Sequence, residues 1–364
     1  MGVALALARR VLGTTAPNPA VGALIVDEAS GEVTARGWTQ PGGRPHAEAH
    51  VLQRAGAHAQ GKTMYVTLEP CSHHGRTPPC ADAIRAAGVR RLVCAIEDPN
   101  PEISGKGFAS LRQAGIAVET GVCAEAARWM AAGHILRMTK GRPFVQLKLA
   151  VSADGLIAPG DGAPRWVSNE EARAYAHLLR ARADAILIGS QTVADDDPLL
   201  TCRLPGLCNR SPRRYVLDSR LRTAPSSKLA TSAGAVPVTL FGAPDAPQPA
   251  LPASIVVRRV ATDGNGLSLT AVLACLNADG ITRLLVEGGP HVAGSFVAAD
   301  LVDEAVIARG TETLAAAGVR PLAVRGLEVF EDRQRWLLHS DRALGSNRIT
   351  VYRARRHLGA SAGE

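Results

Sequence analysis

The triplet His46-Ala47-Glu48, answered by Pro70-Cys71 and then by Cys80, limits this chain more than any other feature. One imidazole and two thiols are zinc ligands, and a catalytic zinc site takes three protein ligands and leaves a fourth position for water. Such a set works only if the fold brings two distant segments to one point. Glu48 is not needed as a ligand and is free for general acid–base work. H-x-E followed by P-C-x-x-C marks zinc deaminases that act on nucleobases. Here eight residues separate the cysteines, so the match to that short form is partial. Alone, His46 reads as an ordinary histidine, and Cys71 and Cys80 as buried thiols. A structural zinc site would need a fourth ligand, for which His73 and His74 are nearest. The conjunction of H-A-E with T-L-E-P-C-S-H-H-G-R-T-P-P-C favours catalysis.

The surrounding pattern explains how the ligands meet. A helix is expected over 2–12, strands over 21–27 and 33–38, a helix over 47–57 and a strand over 63–68. This puts His46 where a loop enters a helix and Cys71 just past a strand. Cys80 opens a further helix, 81–87, where free N–H groups and the helix dipole favour thiolate. Strand 91–96, helix 105–114, strand 116–120 and helix 124–139 complete an α/β layering with a mostly parallel sheet. Asp98-Pro99-Asn100-Pro101 lies past the carboxyl end of a strand, where open α/β sheets bind ligands. A polar turn at 140–143 separates two domains, 1–140 and 144–356. The second restarts with a strand at 144–150, then a helix at 169–182 and strand 185–188. Residues 203–213 and 242–252 are Pro-rich loops. Leu284 to Pro290 reads as a strand opening a Gly-Gly turn into a helix, and 349–353 as a last strand.

At 364 residues there is length for two domains. Aromatic residues are only 4%, which leaves little for stacking on bases. The net charge of +8 suits an anionic partner, but the arginines are scattered, so a phosphorylated small molecule accounts for it as well as nucleic acid does. Seven cysteines with no signal peptide argue for metal or free thiols rather than a disulfide framework. No run approaches the ~18 apolar residues of a membrane span. The expectation is a cytoplasmic protein with no nucleic acid and no membrane partner; a homo-oligomer is left open.

The zinc motif resembles that of the bifunctional RibD family of riboflavin biosynthesis, and the resemblance extends through Gln146–Ala150, Asp154-Gly155, Thr192–Thr201 and Val286–Pro290. It implies a cytidine-deaminase-like three-layer α/β/α domain followed by a dihydrofolate-reductase-like α/β domain. It implies a diamino-pyrimidinone substrate carrying a ribosylamino phosphate, deaminated in the first domain and reduced to a ribityl chain with NADPH in the second. Zinc ligands carry over to His46, Cys71 and Cys80, and the proton shuttle to Glu48. Asn18, His73, Arg76 and Asn100 match deaminase substrate contacts. In the reductase half, Lys148, Asp196, Arg203 and Glu287, with Arg180 and Leu200, match substrate or catalytic positions. Ala150, Trp166, Thr192, Asp196, Gly288, Gly289 and Pro290 match cofactor contacts. Lys148 and Asp196 both remain open as the proton source for reduction. Two stretches depart from the family pattern: Pro164 stands where Ser is usual, and Arg309–Leu314 replaces Ala-Pro-x-x-x-Gly. Both bear on the reductase, so a chain with a weak reductase half is one alternative. A deaminase acting on RNA is the other, although it leaves 144–354 unexplained.

Overall fold

Strands that are largely buried along their length, packed under helices that each bury one face, build each half of the chain. The computed structural model describes residues 1–73, 78–158, 167–264 and 266–357. The chain divides into two units, Met1–Pro143 and Phe144–Glu364.

The first unit runs α1 (Gly2–Arg10), β1 (Gly22–Asp27), β2 (Glu32–Trp38), α2 (Ala47–Ala55), β3 (Thr63–Val66), α3 (Cys80–Ala86), β4 (Arg91–Cys94), α4 (Lys106–Gln113), β5 (Ala117–Thr120), α5 (Ala124–Met130) and α6 (Ala132–Lys140). Its sheet has the order β2-β1-β3-β4-β5. The side chains of β1 alternate faces. Ala23 and Ile25 join a core with Val51 of α2 and Ile84 of α3, whereas Leu24 packs with Ala4 and Leu7 of α1. Helices therefore cover both faces, the three-layer arrangement.

Two expectations need correction here. The sheet is mixed rather than mostly parallel: β1 is antiparallel to both β2 and β3, and only β3, β4 and β5 run together. The cause is a tight turn after β1, where Gly31 at φ +74° donates to the Asp27 carbonyl at 2.8 Å and doubles the chain back. The helix expected over 124–139 is broken at Ala131, whose ψ of 3° leaves the helical region.

The second unit runs β6 (Phe144–Val151), α7 (Glu170–Ala181), β7 (Ala185–Gly189), α8 (Ser190–Asp196), β8 (Arg213–Leu217), α9 (Lys228–Thr231), β9 (Val238–Gly242), β10 (Ile255–Arg259), the short pair β11 (Thr262–Asp263) and β12 (Gly266–Leu267), α10 (Leu269–Ala278), β13 (Arg283–Val286), α11 (Pro290–Ala298), β14 (Glu304–Arg309), β15 (Trp336–Leu344) and β16 (Asn347–Ala354). The main sheet has the order β10-β9-β8-β7-β13-β6-β14-β16-β15. It is parallel from β10 to β14 and ends in an antiparallel hairpin. Only the second strand of that hairpin was expected, because β15 mixes Leu with Ser, Asp and Arg and carries no β-branched residue.

Alternation on β6 positions the chemistry. Val145, Leu147, Leu149 and Val151 enter one core, so Gln146, Lys148 and Ala150 face the other side. On β13 Leu284 and Val286 enter that same first core while Leu285 joins the second, and Glu287 follows on the Leu285 side. Val286 pairs with Leu147, so Glu287 comes beside Lys148. No helix among the described residues is long and apolar enough to cross a membrane.

Gly37 shows how tightly the metal-site helix is seated. A Cβ there would lie 2.6 Å from both Cβ and N of Val51 on α2. Gly37→Ala is therefore expected to destabilise the first unit by about 1–3 kcal/mol through overpacking, read as a lower urea midpoint. An unchanged midpoint would mean that α2 can slide on the sheet.

Candidate active site

His46 sits at the N-cap of α2 with extended φ −64° and ψ 160°. Cys71 follows β3, and Cys80 is the first residue of α3, after the Pro79 N-cap. His46 Nδ1 is 3.4 Å from Cys80 Sγ and 3.7 Å from Cys71 Sγ. A tetrahedral zinc with ordinary Zn–N and Zn–S bonds needs roughly 3.5 Å between such ligand atoms, so the donors fit the metal. The Cys80 backbone N–H donates to Cys71 Sγ at 3.3 Å, and the Ala81 N–H to the Cys71 carbonyl at 3.1 Å. The start of α3 thus fixes both thiols. Among the described residues this is the single cluster of metal-ligating side chains, and His73, which is exposed, does not join it. His74 and Arg76 lie outside the described residues.

Charge in the cluster is unevenly held. The thiol of Cys80 donates to Cys71, and that bond, with His46 beside it, brings Cys71 down to about 4 against its burial. Cys80 is pushed up, as the donor of that bond and by burial. Glu48 is only 4% exposed, and burial pushes it up to about 7, with His46 pulling it down and Cys71 pushing it up.

The sequence reading missed Glu69, two residues before Cys71. Its carboxylate accepts four backbone N–H groups: Asp98 at 3.2 Å and Gly105 at 3.0 Å on one oxygen, Gly107 at 3.0 Å and Phe108 at 3.3 Å on the other. Glu69 N–H in turn donates to the Ile96 carbonyl at 3.0 Å. The Cys71 loop and the loop after β4 therefore run side by side. Gly107 has no room for a Cβ, which would fall 2.2 Å from the Pro70 carbonyl oxygen. Asn100 is held in that second loop: its N–H donates to Asp98 Oδ1 at 2.9 Å, and Asp98 is itself paired with buried His134 at 3.0 Å. Asn18 Nδ2 donates to the Gly43 carbonyl at 2.8 Å, three residues before His46. A Glu at the end of an apolar strand, with no cation near it in sequence, was the available signal for Glu69.

In the second unit Arg180 forks onto Glu287, Nε to Oε1 at 2.9 Å and Nη2 to Oε2 at 2.8 Å. Burial raises the Glu287 carboxyl, but Arg180, then Lys148, outweigh it and hold it down to about 2. Burial lowers Lys148, with Glu287 opposing. Gly289 N–H donates to Thr192 Oγ1 at 3.2 Å, which brings the start of α8 to the turn at 288–290. A Cβ on Gly288 would fall 2.7 Å from Val292 Cβ. In the acidic run, Asp195 takes the Gln191 amide at 2.7 Å and Asp197 accepts from Lys228 N at 2.7 Å. Asp196 is exposed at the end of α8, with its carboxyl raised by burial and by Asp195. Arg203 is also exposed, whereas Leu200 is buried and Ala150 half-buried. His177, not singled out from sequence, touches the Thr201 carbonyl with Nδ1 at 3.1 Å. Trp166 and Pro164 lie outside the described residues. The departing stretch 309–314 is docked: the Ala153 N–H donates to the Glu312 carbonyl at 2.7 Å, and Asp154 accepts from the N–H groups of Leu314 at 3.2 Å and Ala315 at 2.8 Å.

Known proteins carry the same two halves. The cytidine and deoxycytidylate deaminase zinc-binding region matches residues 1–96, and the RibD C-terminal domain matches residues 143–323. The riboflavin biosynthesis protein RibD of Escherichia coli is 38% identical over 356 residues, 95% of this chain and 96% of its own length. The chain belongs to the RibD family. RibD of Mycobacterium tuberculosis is 35% identical over 98% of this chain and 96% of its own length. Among solved structures, RibD of Acinetobacter baumannii superposes with a TM-score of 0.84 at 32% identity, covering 97% of each chain. A diaminohydroxyphosphoribosylaminopyrimidine deaminase/5-amino-6-(5-phosphoribosylamino)uracil reductase from Thermotoga maritima does so with 0.85 at 32% identity, again over 97% of each. Membership accounts for the second unit, which a deaminase acting on RNA leaves unexplained. It also confirms the two-domain fold class expected from the sequence, a deaminase-like domain followed by a reductase domain.

The purified chain is expected to hold about one zinc, and Cys71→Ser to lose it, because the other five cysteines form no cluster among the described residues. Metal analysis giving two zinc per chain, or one that survives Cys71→Ser, would place the metal elsewhere.

Proposed function

We infer that the chain is a bifunctional enzyme of riboflavin biosynthesis. Its deaminase domain, 1–140, hydrolyses one ring amine from a diamino-pyrimidinone that carries a ribosylamino phosphate. Its reductase domain, 144–356, reduces the ribosyl side chain of the product to ribityl with NADPH. One observation carries the reading: a chain that belongs to RibD over nearly its whole length holds a His/Cys/Cys cluster beside a buried Glu and, on a second sheet, a Lys/Glu/Arg group beside a Gly-Gly turn.

In the first domain His46, Cys71 and Cys80 hold zinc, which when bound is a Lewis acid that makes water a nucleophile at neutral pH. Glu48 takes a proton at its carboxylate oxygen and returns it to the leaving amine. Burial supports that role, since a buried carboxyl near 7 can both hold and release a proton. Asn18 and Asn100 read the ring edge, with His73 beside them. Arg76, by the family resemblance, would take the phosphate, an anion that guanidinium suits.

In the second domain Ala150, Trp166, Thr192, Asp196 and the turn Gly288, Gly289, Pro290 would hold NADPH, which when bound supplies a hydride. Leu200, Arg203, Arg180 and Glu287 hold the substrate. The hydride goes to the ribosyl carbon and a proton must reach its oxygen or nitrogen. Glu287 stays ionised at neutral pH and cannot give it. Lys148 Nζ is the proton source, because burial weakens its hold on the proton and register puts it beside Glu287.

Glu48→Gln is expected to keep its zinc and lose deamination by ~10²–10⁴-fold, the range for removing a general acid–base. Reduction of supplied deaminated product should be unaffected, and near-normal deamination in the zinc-loaded variant would remove Glu48 from the mechanism.

The Lys148 role has its own signature in pH. Its protonated form is the active one, so kcat/KM for reduction should fall as pH rises through a pKa below the ordinary lysine range. Lys148→Arg, whose guanidinium does not deprotonate, should react more slowly and lose that alkaline limb. The same limb persisting in Lys148→Arg would assign the proton to another group.

A further inference from the structure

Residues 197–203 form a strap between α8 and the loop that leads into β8, and side chains grip it from several directions. Asp197, at φ +38°, accepts from Lys228 N. The Leu199 carbonyl accepts from Arg214 Nη1 at 3.0 Å. Leu200, 3% exposed, stands at φ +56°, an uncommon conformation for a residue with a Cβ that persists only where the surroundings over-determine it. The Thr201 carbonyl accepts from Arg180 Nη1 at 3.2 Å, and Cys202 N–H donates to Ser211 Oγ at 3.1 Å.

Arg214 is the unusual grip. It is fully buried at 0% exposure in β8. Besides Leu199 its guanidinium donates to Ser232 Oγ at 2.7 Å, to the Ser232 carbonyl at 3.0 Å and to the Val236 carbonyl. Every one of these acceptors is neutral, and no carboxylate among the described residues pairs with it. Its Nε has no partner among the described residues. A buried cation without a counter-ion is costly, and an apolar side chain of similar size would serve packing alone better. The guanidinium does what such a side chain cannot: its rigid fork of donors ties the strap and the turn after α9 together through one side chain.

We propose that Arg214 is a positioning residue of the reductase, holding the Leu199 carbonyl so that Leu200 and Arg203 stand ready for the deaminated substrate. The inference rests on the reading of Leu200 and Arg203 as substrate contacts. Its chemistry is that of a clamp: Arg214 is fully buried and acts through the Leu199 carbonyl, the Ser232 hydroxyl and carbonyl, and the Val236 carbonyl.

The test uses the full-length chain. In Arg214→Met, KM for the deaminated substrate should rise at least ten-fold while KM for NADPH and the deamination rate stay within about two-fold. A second variant spares the arginine. Replacing Leu200 by its α-hydroxy acid turns the 199 carbonyl into an ester, a weaker acceptor, and should raise the same KM about three-fold or more with no loss of folded protein. Native KM for the substrate in a folded Arg214→Met, or equal rises for substrate and NADPH, overturns the proposal. If Arg214→Met does not fold, the ester variant decides alone, and its native KM overturns the proposal as well. If the native chain does not reduce the deaminated substrate, the functional reading fails and this inference with it. If it does reduce and the variants match it, this inference alone fails.

Discussion

Taking a charge out of water is the constraint on which both halves of this chain depend. A buried ion must be met by an opposite charge or by enough dipoles. Glu69 is met by four backbone N–H groups and, among the described residues, by no cation. Arg214 is met by three carbonyls and a hydroxyl and, among the described residues, by no anion. Glu287 is met by Arg180, whose third contact is a backbone carbonyl. Because backbone groups satisfy these ions, each one fixes the path of a loop. Glu69 sets the course of the segment that carries Asn100 beside the one that carries Cys71. Arg180 and Arg214 do the same for the segment that carries Leu200 and Arg203. Loops at the carboxyl ends of strands are where ligands meet α/β sheets, and loops alone are mobile. Buried ions supply the rigidity that such loops lack.

The metal cluster was legible in the sequence because its chemistry needs particular residue types at particular element ends. His46, Glu48, Cys71 and Cys80 lie on loop and helix starts that turn signals mark, and local geometry accounts for them. In the second half the alternation of strand and helix was partly legible, at 144–150, 169–182, 185–188 and 284–290. Sheet direction around β1 was not, because a four-residue turn decides it and the apolar run of β1 reads the same in either direction. β15 was missed because an edge strand half in solvent needs no alternation of apolar residues. The ionic ties were invisible for a different reason. Glu69 acts on amides about thirty to forty residues away, and Arg214 on carbonyls reached only through the sheet; the side chain at either end carries no pattern. The departures at 309–314 weighed against the reductase in sequence. In the fold that stretch lies against the turn at 152–154, held by Asp154 and Ala153, so a different sequence still finds a docked path.

Two glutamates show how environment divides chemical labour between groups of the same type. Glu48 and Glu287 are both carboxylates withdrawn from solvent. For Glu48, burial outweighs the one nearby imidazole and lifts the carboxyl to about 7. A divalent cation on the neighbouring ligands would draw it down from there, since a bound metal is the largest local charge. For Glu287, the bidentate guanidinium of Arg180 outweighs burial and leaves the carboxyl at about 2. That group can orient and attract, but it has no proton to give near neutral pH. The same negative charge bears on Lys148, whose burial lowers its hold on a proton while Glu287 opposes the fall. The fixed anion thus opposes the loss of charge that burial imposes on the neighbouring amine. Arg180 acts on both neighbours: it holds Glu287 down, and as a like charge it adds to the lowering of Lys148. The ion pair therefore bears on the charge of Lys148 as well as on the path of the strap.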